Sequence, residues 1–382
     1  MQYRDMGKTG IKVSALGFGC MRLPLQPGKT ESRFIDEKTA TEMLRYAIER
    51  GVNYLDTAHP YHDGESERFL GRFFQETGLR DKVYLASKLP IGRVHKAEDF
   101  DALLNEQLQK LQTDHIDFYL FHGVDLDGWE NIILKYGLFS RIEAAKADGR
   151  IRHIGFSFHD DEGVFRKMID GYNGWEFCQI QMNYVDVENQ ATIRGLEYAA
   201  SKGIGVIIME PLLGGKLANL PETVKKELDP SKSPVEWALD FLWNRPEVSL
   251  VLSGMSAMDM VEQNVEYAAR SGVGMLTEGE LQMLGEARRE YLIKALVPCT
   301  KCRYCMPCPF GLDIPEIYDA YNQTPTWKEA GLRAYDRLDV QADACRDCGK
   351  CTKACPQNIE AKKFMPVIHE FFKTMKRQAS EA

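Results

Sequence analysis

Eight short apolar runs, each followed by a stretch of helical periodicity, constrain this chain more than any other feature of its sequence. The runs are Val13-Ser14-Ala15-Leu16-Gly17-Phe18, Tyr54-Leu55, Val83 to Ala86, Ile116 to Phe121, Ile154-Gly155-Phe156, Phe177 to Gln181, Val206 to Met209 and Leu250-Val251-Leu252. Each is short, apolar and rich in β-formers, as buried parallel strands are. Between them, apolar residues recur every three or four positions, which places them on one face of a helix. Phe69, Leu70, Phe73 and Phe74 form one such stripe. Phe100, Leu103, Leu104, Leu108 and Leu111 form a second, and Val235, Ala238, Leu239, Leu242 and Trp243 a third. Gly51, Gly149 and Gly203 sit where a helix-to-strand turn wants a left-handed residue. Eight right-handed β–α units close into a (β/α)8 barrel. The rival is an open doubly wound sheet, which predicts a Gly-x-Gly-x-x-Gly turn after the first strand. Gly17-Phe18-Gly19 is followed instead by Cys20-Met21-Arg22. Tyr3 to Lys12, with Lys8-Thr9-Gly10, reads as a small hairpin closing the barrel's bottom.

At 382 residues the chain is long enough for a barrel of about 250–300 residues and a small appendage. The pattern changes after residue 270. Glu278 to Leu292 reads as one amphipathic helix, Pro298 follows, and a cysteine-rich segment begins. The expected domains are therefore 1–295, the barrel, and 296–382, a module so short that metal is expected to hold it together. Hydrophobic residues make up 44% and charged residues 27% of the chain, which excludes wholesale disorder. A net charge of −8 argues against nucleic acid and anionic lipid as partners. Met1 to Gly7 has no apolar signal core, and no run approaches the ~18 apolar residues that span a bilayer. A cytoplasmic location, where thiols stay reduced, is the expectation.

Barrels carry their chemistry at the carboxyl ends of the strands. Those ends hold Asp56, Lys88, His122, Ser157 and Gln181, with Tyr61 in the loop after Asp56. A lysine ammonium beside a phenol favours the phenolate, and an aspartate can hold the ammonium in place. The tyrosine then becomes a better proton donor near neutrality, and the histidine can donate a hydrogen bond to a carbonyl. Taken singly, each has a plainer explanation: a solvated lysine, a structural histidine, an aspartate capping a turn. Their coincidence at successive strand ends favours a shared site.

Asp56-Thr57-Ala58-His59-Pro60-Tyr61 with Gly64-Glu65-Ser66-Glu67 resembles the signature of the aldo-keto reductases. So do Tyr3-Arg4, Gly7-Lys8-Thr9-Gly10, Val13-Ser14, Leu16-Gly17-Phe18-Gly19 and Tyr119-Leu120-Phe121-His122. The likeness runs through roughly residues 1–290. It implies a barrel that binds an extended nicotinamide dinucleotide, NAD(H) or NADP(H), without a doubly wound domain. It further implies Tyr61 as general acid, Asp56 and Lys88 as the groups that tune it, and His122 as the group that orients the carbonyl. By the same resemblance Ser157 and Gln181 hold the carboxamide. Phe158 stands where the family usually has Asn, and Met209, in Met209-Glu210-Pro211-Leu212, where an aromatic usually stacks on the nicotinamide. Gly254-Met255-Ser256 to Glu262-Gln263-Asn264 resembles the motif at the adenosine end, but its usual basic residues are Ala257 and Met260 here. The cofactor contacts so implied are Gly19, Met21, Asp56, Ser157, Gln181, Met209, Pro211, Leu212, Gly254, Ser256 and Asn264. Plain core packing is the other reading of Met209 and Met260. A phosphate dianion binds poorly without a cation, so NADH is expected to bind at least as well as NADPH.

Ten cysteines are present, and Cys20 and Cys178, without cysteine neighbours in sequence, read as small buried apolar residues. The other eight fall after residue 298. Cys345-x2-Cys348-x2-Cys351-x3-Cys355-Pro356 fits the bacterial ferredoxin run, which binds a 4Fe–4S cluster. Cys299-x2-Cys302-x2-Cys305-x2-Cys308-Pro309 is the same run with one residue fewer in its last gap. In two-cluster ferredoxins the last cysteine of each run ligates the other cluster. Cys299, Cys302, Cys305 and Cys355 are then expected to hold one cluster, and Cys345, Cys348, Cys351 and Cys308 the other. Two zinc sites, each with four cysteine ligands, would use the same thiolates, but zinc gives no reason for triple runs ending in Cys-Pro. The whole chain resembles aldo-keto reductases with a C-terminal ferredoxin-like domain.

The expected function is hydride transfer between a nicotinamide and a small carbonyl or alcohol substrate, with an attached electron-transfer module. Two alternatives stand beside it. In one, the clusters exchange electrons with a redox partner protein. Hydride moves two electrons and each cluster one, and no flavin motif is present to mediate. In the other, a retired barrel serves as an electron carrier or redox sensor, against which the intact set Asp56, Tyr61, Lys88 and His122 argues.

Overall fold

A computed structural model describes residues 1–294, 296–325 and 328–381. The chain divides into two compact units, Met1–Pro211 with Glu236–Thr277, and Leu212–Val235 with Glu278–Ala382.

The first unit is built on a closed barrel of eight parallel strands preceded by an antiparallel pair. β1 (Tyr3–Asp5) pairs with β2 (Lys12–Ser14). The barrel strands are β3 (Leu16–Gly19), β4 (Tyr54–Asp56), β5 (Tyr84–Leu89), β6 (Ile116–Val124), β7 (Ile151–Phe158), β8 (Phe177–Gln181), β9 (Gly205–Met209) and β10 (Val248–Gly254). Each pairs with its neighbour in sequence, and β10 closes on β3. The run Val13 to Phe18, expected as one strand, is divided at Ala15. Its first part belongs to the hairpin and its second to the barrel. Both parts are buried, so hydropathy shows no break between them. Met6 and Val13 pack into one core with Tyr54, Ala86, Phe118, Phe177, Ile207 and Leu250, so the hairpin plugs the barrel as expected.

Outer helices follow the strands. Glu37–Glu49 is capped by Asp36, whose carboxylate accepts from the Thr39 N–H, and Glu162–Gly171 likewise by Asp161. Gly51, Gly149 and Gly203 have φ of +96°, +87° and +75°, the left-handed values that the helix-to-strand turns require. The stripe Phe69, Leu70, Phe73 and Phe74 is buried on Glu65–Thr77.

The second unit is helical among the described residues. It contains Glu278–Lys294, Ile314–Gln323, Lys328–Asp336, Lys350–Ala354 and Ala361–Glu381. Its ferredoxin likeness therefore lies in cysteine spacing, not in strands. The division departs from the expected boundary, and residue 295, where that boundary falls, lies outside the described residues. Helix Glu278–Lys294 and segment Leu212–Val235 belong with the cysteine segment. They bind each other, with the Asp229 N–H donating to Met283 Sδ at 3.1 Å and Lys232 at 3.7 Å from Glu280. The module expected to be held together by metal also has an apolar core. Ile317, Tyr318, Tyr335, Ile368 and Phe372 are buried together, and the Tyr335 and Phe372 rings stack at 4.0 Å.

Candidate active site and thiolate cavities

Strand parity builds the site. Along a strand, every second side chain points to the same face. Tyr54, Ala86, Leu120, Ile207 and Leu252 lie in the barrel's inner core. Two residues further on, at the carboxyl ends, the same face presents Asp56, Lys88, His122, Met209 and Gly254. Register brings the ends level: Gly19 pairs with Asp56, and Gly254 with Gly19.

Lys88 is fully buried and has three acceptors. Its Nζ donates to Asp56 Oδ1 at 2.7 Å, to the Thr57 carbonyl at 2.9 Å and to the Tyr61 hydroxyl oxygen at 3.2 Å. The His122 ring meets Tyr61 edge to face at a centroid separation of 6.0 Å. The structure thus brings all four expected catalytic residues together. Burial raises the Asp56 carboxyl above the usual range, against the opposing pull of Lys88. Its Oδ2 is buried and, among the described residues, takes no hydrogen bond. Burial, then the Lys88 cation and His159 and His59, push His122 well below the ordinary histidine value. At neutral pH its imidazole is uncharged and keeps one N–H to donate.

The expected cofactor residues are spread along the same ends. Ser157 Oγ accepts from the Gly123 N–H at 2.7 Å and retains its own hydrogen to donate. Gln181 donates to Asp186 at 2.9 Å and accepts from Gln190 at 3.1 Å, so its amide plane is fixed. Met209 Sδ accepts from Gln179 at 3.6 Å, a contact in keeping with core packing. Asn264 donates to Ser253 at 3.1 Å, and Ser256 and Gly254 are exposed. Met21 is half-buried, and the Arg22 side chain lies across Gly254, where an added Cβ would stand 3.4 Å from it. Pro211 ends the first part of the first unit, and Leu212 begins the second unit. Ala257 is half-buried and Met260 exposed. Cys20 and Cys178 are buried, and burial raises both thiols, as small apolar residues would have it.

Two supporting residues, His62 and Gln107, escaped the sequence reading, and a third, Glu67, was read only as part of a motif. His62, in left-handed backbone at φ +54°, donates from Nδ1 to the Ser32 carbonyl at 2.6 Å and accepts the Leu23 N–H at 3.0 Å, pinning the loop after β3. Buried Gln107 donates to Glu67 at 2.6 Å and to the Lys88 carbonyl at 3.0 Å, which fixes the backbone behind the ammonium. His62 adjoins the quoted signature, and Glu67 is its last residue. Gln107 lies on a helix face with no signal of its own.

The eight clustered cysteines line two cavities. One, of about 380 Å³, is bordered by Cys299, Cys302, Cys305, Cys351 and Cys355. The other, of about 370 Å³, is bordered by Cys308, Cys345, Cys348 and Cys351. The grouping follows the exchange of last cysteines, with Cys351 on the wall between. Burial, then Cys302, Cys299 and Cys355, push the Cys305 thiol up to about 12, which shows how closely that set is gathered. Among the described residues no three His, Cys, Asp or Glu side chains are gathered as ligands of a single metal ion. Thiolates on a four-iron cluster each bind a different iron and stand wider apart. Tyr318 borders the first cavity, and its buried hydroxyl has no hydrogen-bond partner among the described residues, so a sulfur acceptor in that cavity would satisfy it.

The Aldo/keto reductase family model matches residues 15–272, and the 4Fe-4S dicluster domain model matches residues 298–360. L-galactose dehydrogenase of Arabidopsis thaliana is 28% identical over 288 residues, which cover 69% of this chain and 87% of that protein. The aldo-keto reductase AKR11C1 of Bacillus halodurans, in its holo form, is 25% identical with a TM-score of 0.62, over 75% of this chain and 96% of that one. A thermostable aldo-keto reductase, Tm1743, shares the fold at a TM-score of 0.63 and 23% identity, over 75% of this chain and 100% of that one.

Proposed function

This chain belongs to the aldo/keto reductase family and carries a 4Fe–4S dicluster domain, and on that premise we propose that it is a nicotinamide-dependent reductase of small carbonyl compounds with two clusters attached. The observation that carries the reading is the buried Lys88 ammonium, shared between Asp56 at 2.7 Å and the Tyr61 hydroxyl at 3.2 Å.

A bound nicotinamide dinucleotide supplies the hydride. The side chains supply the rest. Tyr61 O–H gives its proton to the carbonyl oxygen of the substrate, which gains negative charge as the bond is reduced. The Lys88 cation stabilises the phenolate left behind, and it acts at low dielectric because the group is fully buried. Asp56 and the Thr57 carbonyl fix the ammonium. Neutral His122 donates a hydrogen bond to the same substrate oxygen without competing as the acid. Ser157 offers its hydroxyl hydrogen to the carboxamide, and Gln181 backs the site through Asp186 and Gln190.

At the adenosine end, helix Met258–Arg270 carries Asp259 in its first turn, and Glu262 follows about one turn later. Two carboxylates there oppose a 2′-phosphate and favour NADH. Cys299, Cys302, Cys305 and Cys355 would hold one cluster, and Cys308, Cys345, Cys348 and Cys351 the other. The Tyr318 hydroxyl would donate to the first.

The test is anaerobic titration with NADH and NADPH, followed by turnover on a panel of small aldehydes and ketones. Carbonyl reduction with NADH bound at least as tightly as NADPH is expected. Binding of neither nucleotide would overturn the reading. A tenfold preference for NADPH, worth ~1.4 kcal/mol, would show that another cation reaches the 2′-phosphate, and Arg22 is the first to examine.

A further inference from the structure

The surroundings of the two thiolate cavities differ in charge. At the first, Arg303 pairs with Asp313 at 2.9 Å, and Lys301 pairs with Glu316 and Asp319 at 2.9 and 3.4 Å. Both of these cations are neutralised by acids. At the second, Arg346 and Lys362 border the cavity with Cys348, and Lys350 and Lys353 flank Cys351 on helix Lys350–Ala354. All four cations are exposed, and among the described residues none of them forms an ion pair. Residues 344–363 hold five Lys or Arg against Asp347 and Glu360, and Glu360 is paired with Lys363. The chain as a whole carries −8, so this is a basic face on an acidic protein.

Cys348 is the one exposed cysteine of the ten, and Phe310, 42% exposed, borders the same cavity. An exposed aromatic within a charged rim has the composition of a docking patch. Offsetting the negative charge of a thiolate-held cluster does not account for the rim. The first cavity would need the same offset, yet Lys301 and Arg303 are spent there on Asp313, Glu316 and Asp319, and Lys216 adds a single further cation near Cys299.

We propose that the face around Cys348 is the docking surface of an acidic one-electron carrier protein that exchanges electrons with the second cluster. One electron passes per encounter. The reduced carrier is oxidised by one electron, the cluster is reduced by one, and no proton moves. The proposal rests on the reading that Cys308, Cys345, Cys348 and Cys351 hold a cluster. Opposite charge on the carrier steers encounter by roughly 10–10³-fold, and salt removes the effect as the screening length falls from ~10 Å at 0.1 M to ~3 Å at 1 M.

The test mixes anaerobic holoprotein with a reduced, acidic 2Fe–2S ferredoxin in stopped flow and follows reduction of the chain's clusters. The rate should fall about tenfold or more between low and high salt. The triple variant Lys350→Glu, Lys353→Glu, Lys362→Glu should lose about tenfold or more at low salt. Its iron and sulfide should be unchanged, as should its reduction by photoreduced 5-deazaflavin, a neutral small molecule. Reduction of the variant by ferredoxin at the parent rate overturns the proposal. So does an equal slowing with both reductants, which would assign the rim to the cluster alone. About four iron per parent chain, in place of eight, would mark failure of the two-cluster reading itself.

Discussion

Replacing Lys88 by Met leaves a group of similar length and removes the charge on which the site is organised. Asp56 is then a buried carboxylate with no cation. Its Oδ2 already lacks a partner, and its Oδ1 loses the 2.7 Å bond. Removing one member of a buried pair costs about 3–5 kcal/mol. A second route to the magnitude is protonation. An unfolded aspartate titrates near ~3.9, so holding the carboxyl neutral in the fold at pH 7 costs roughly 4 kcal/mol at ~1.4 kcal/mol per unit. The two estimates agree. The sign follows from proton uptake. Burial already raises the Asp56 carboxyl, and loss of the opposing ammonium raises it further. From about pH 4 upward the folded variant keeps a proton that the unfolded chain has released, so its stability falls as pH rises. Below that the penalty vanishes. Urea unfolding at several pH values measures this. Four of the five tryptophans, Trp129, Trp175, Trp237 and Trp243, belong to the barrel unit and the fifth, Trp327, to the second, so tryptophan fluorescence chiefly reports unfolding of the barrel. Adding Asp56→Asn should recover most of the stability at pH 7–8 and none of the activity. Equal midpoints for parent and single variant across pH 6–8 would refute the reasoning.

The metal centres give two further outcomes. Anaerobically purified protein should contain about eight iron and eight sulfide per chain, and Cys348→Ala should lose about half of each. Stoichiometric zinc without sulfide would contradict this. Because Tyr335, Ile368 and Phe372 give the second unit a core of its own, Cys348→Ala should keep most of its helical circular dichroism. Tyr318→Phe should lower the potential of the first cluster alone, by roughly 40 mV for each ~1 kcal/mol by which the hydrogen bond favours the reduced cluster over the oxidised one, read by EPR titration. An unchanged potential would show that the hydroxyl does not reach a sulfur.

Much of this was legible in the sequence, for reasons that mark the limits too. The barrel shows because parallel strands buried on both faces leave unbroken apolar runs. Tyr61 and the three residues around it show because strand ends are identifiable and the quoted signature is dense. The division at Ala15 does not show, since both sides of it are buried. Nor does the placement of Leu212–Val235: apolar spacing at Leu213, Leu217 and Leu220 says that the segment is buried, not against what. Gln107 and Tyr318 are single polar residues on helices, and their roles come from neighbours distant in sequence. Arg346, Lys350, Lys353 and Lys362 look like ordinary surface charge until the acids that neutralise Lys301 and Arg303 are set beside them.

The central claim is that Tyr61 delivers the proton that completes carbonyl reduction. Single-turnover reduction of a good aldehyde substrate by Tyr61→Phe, with NADH bound and iron content verified, tests it most directly. General acid catalysis typically contributes ~10²–10⁴-fold, so the variant should be slowed by about that range while nucleotide affinity changes little. Turnover at the parent rate, with iron and fold intact, would contradict the account.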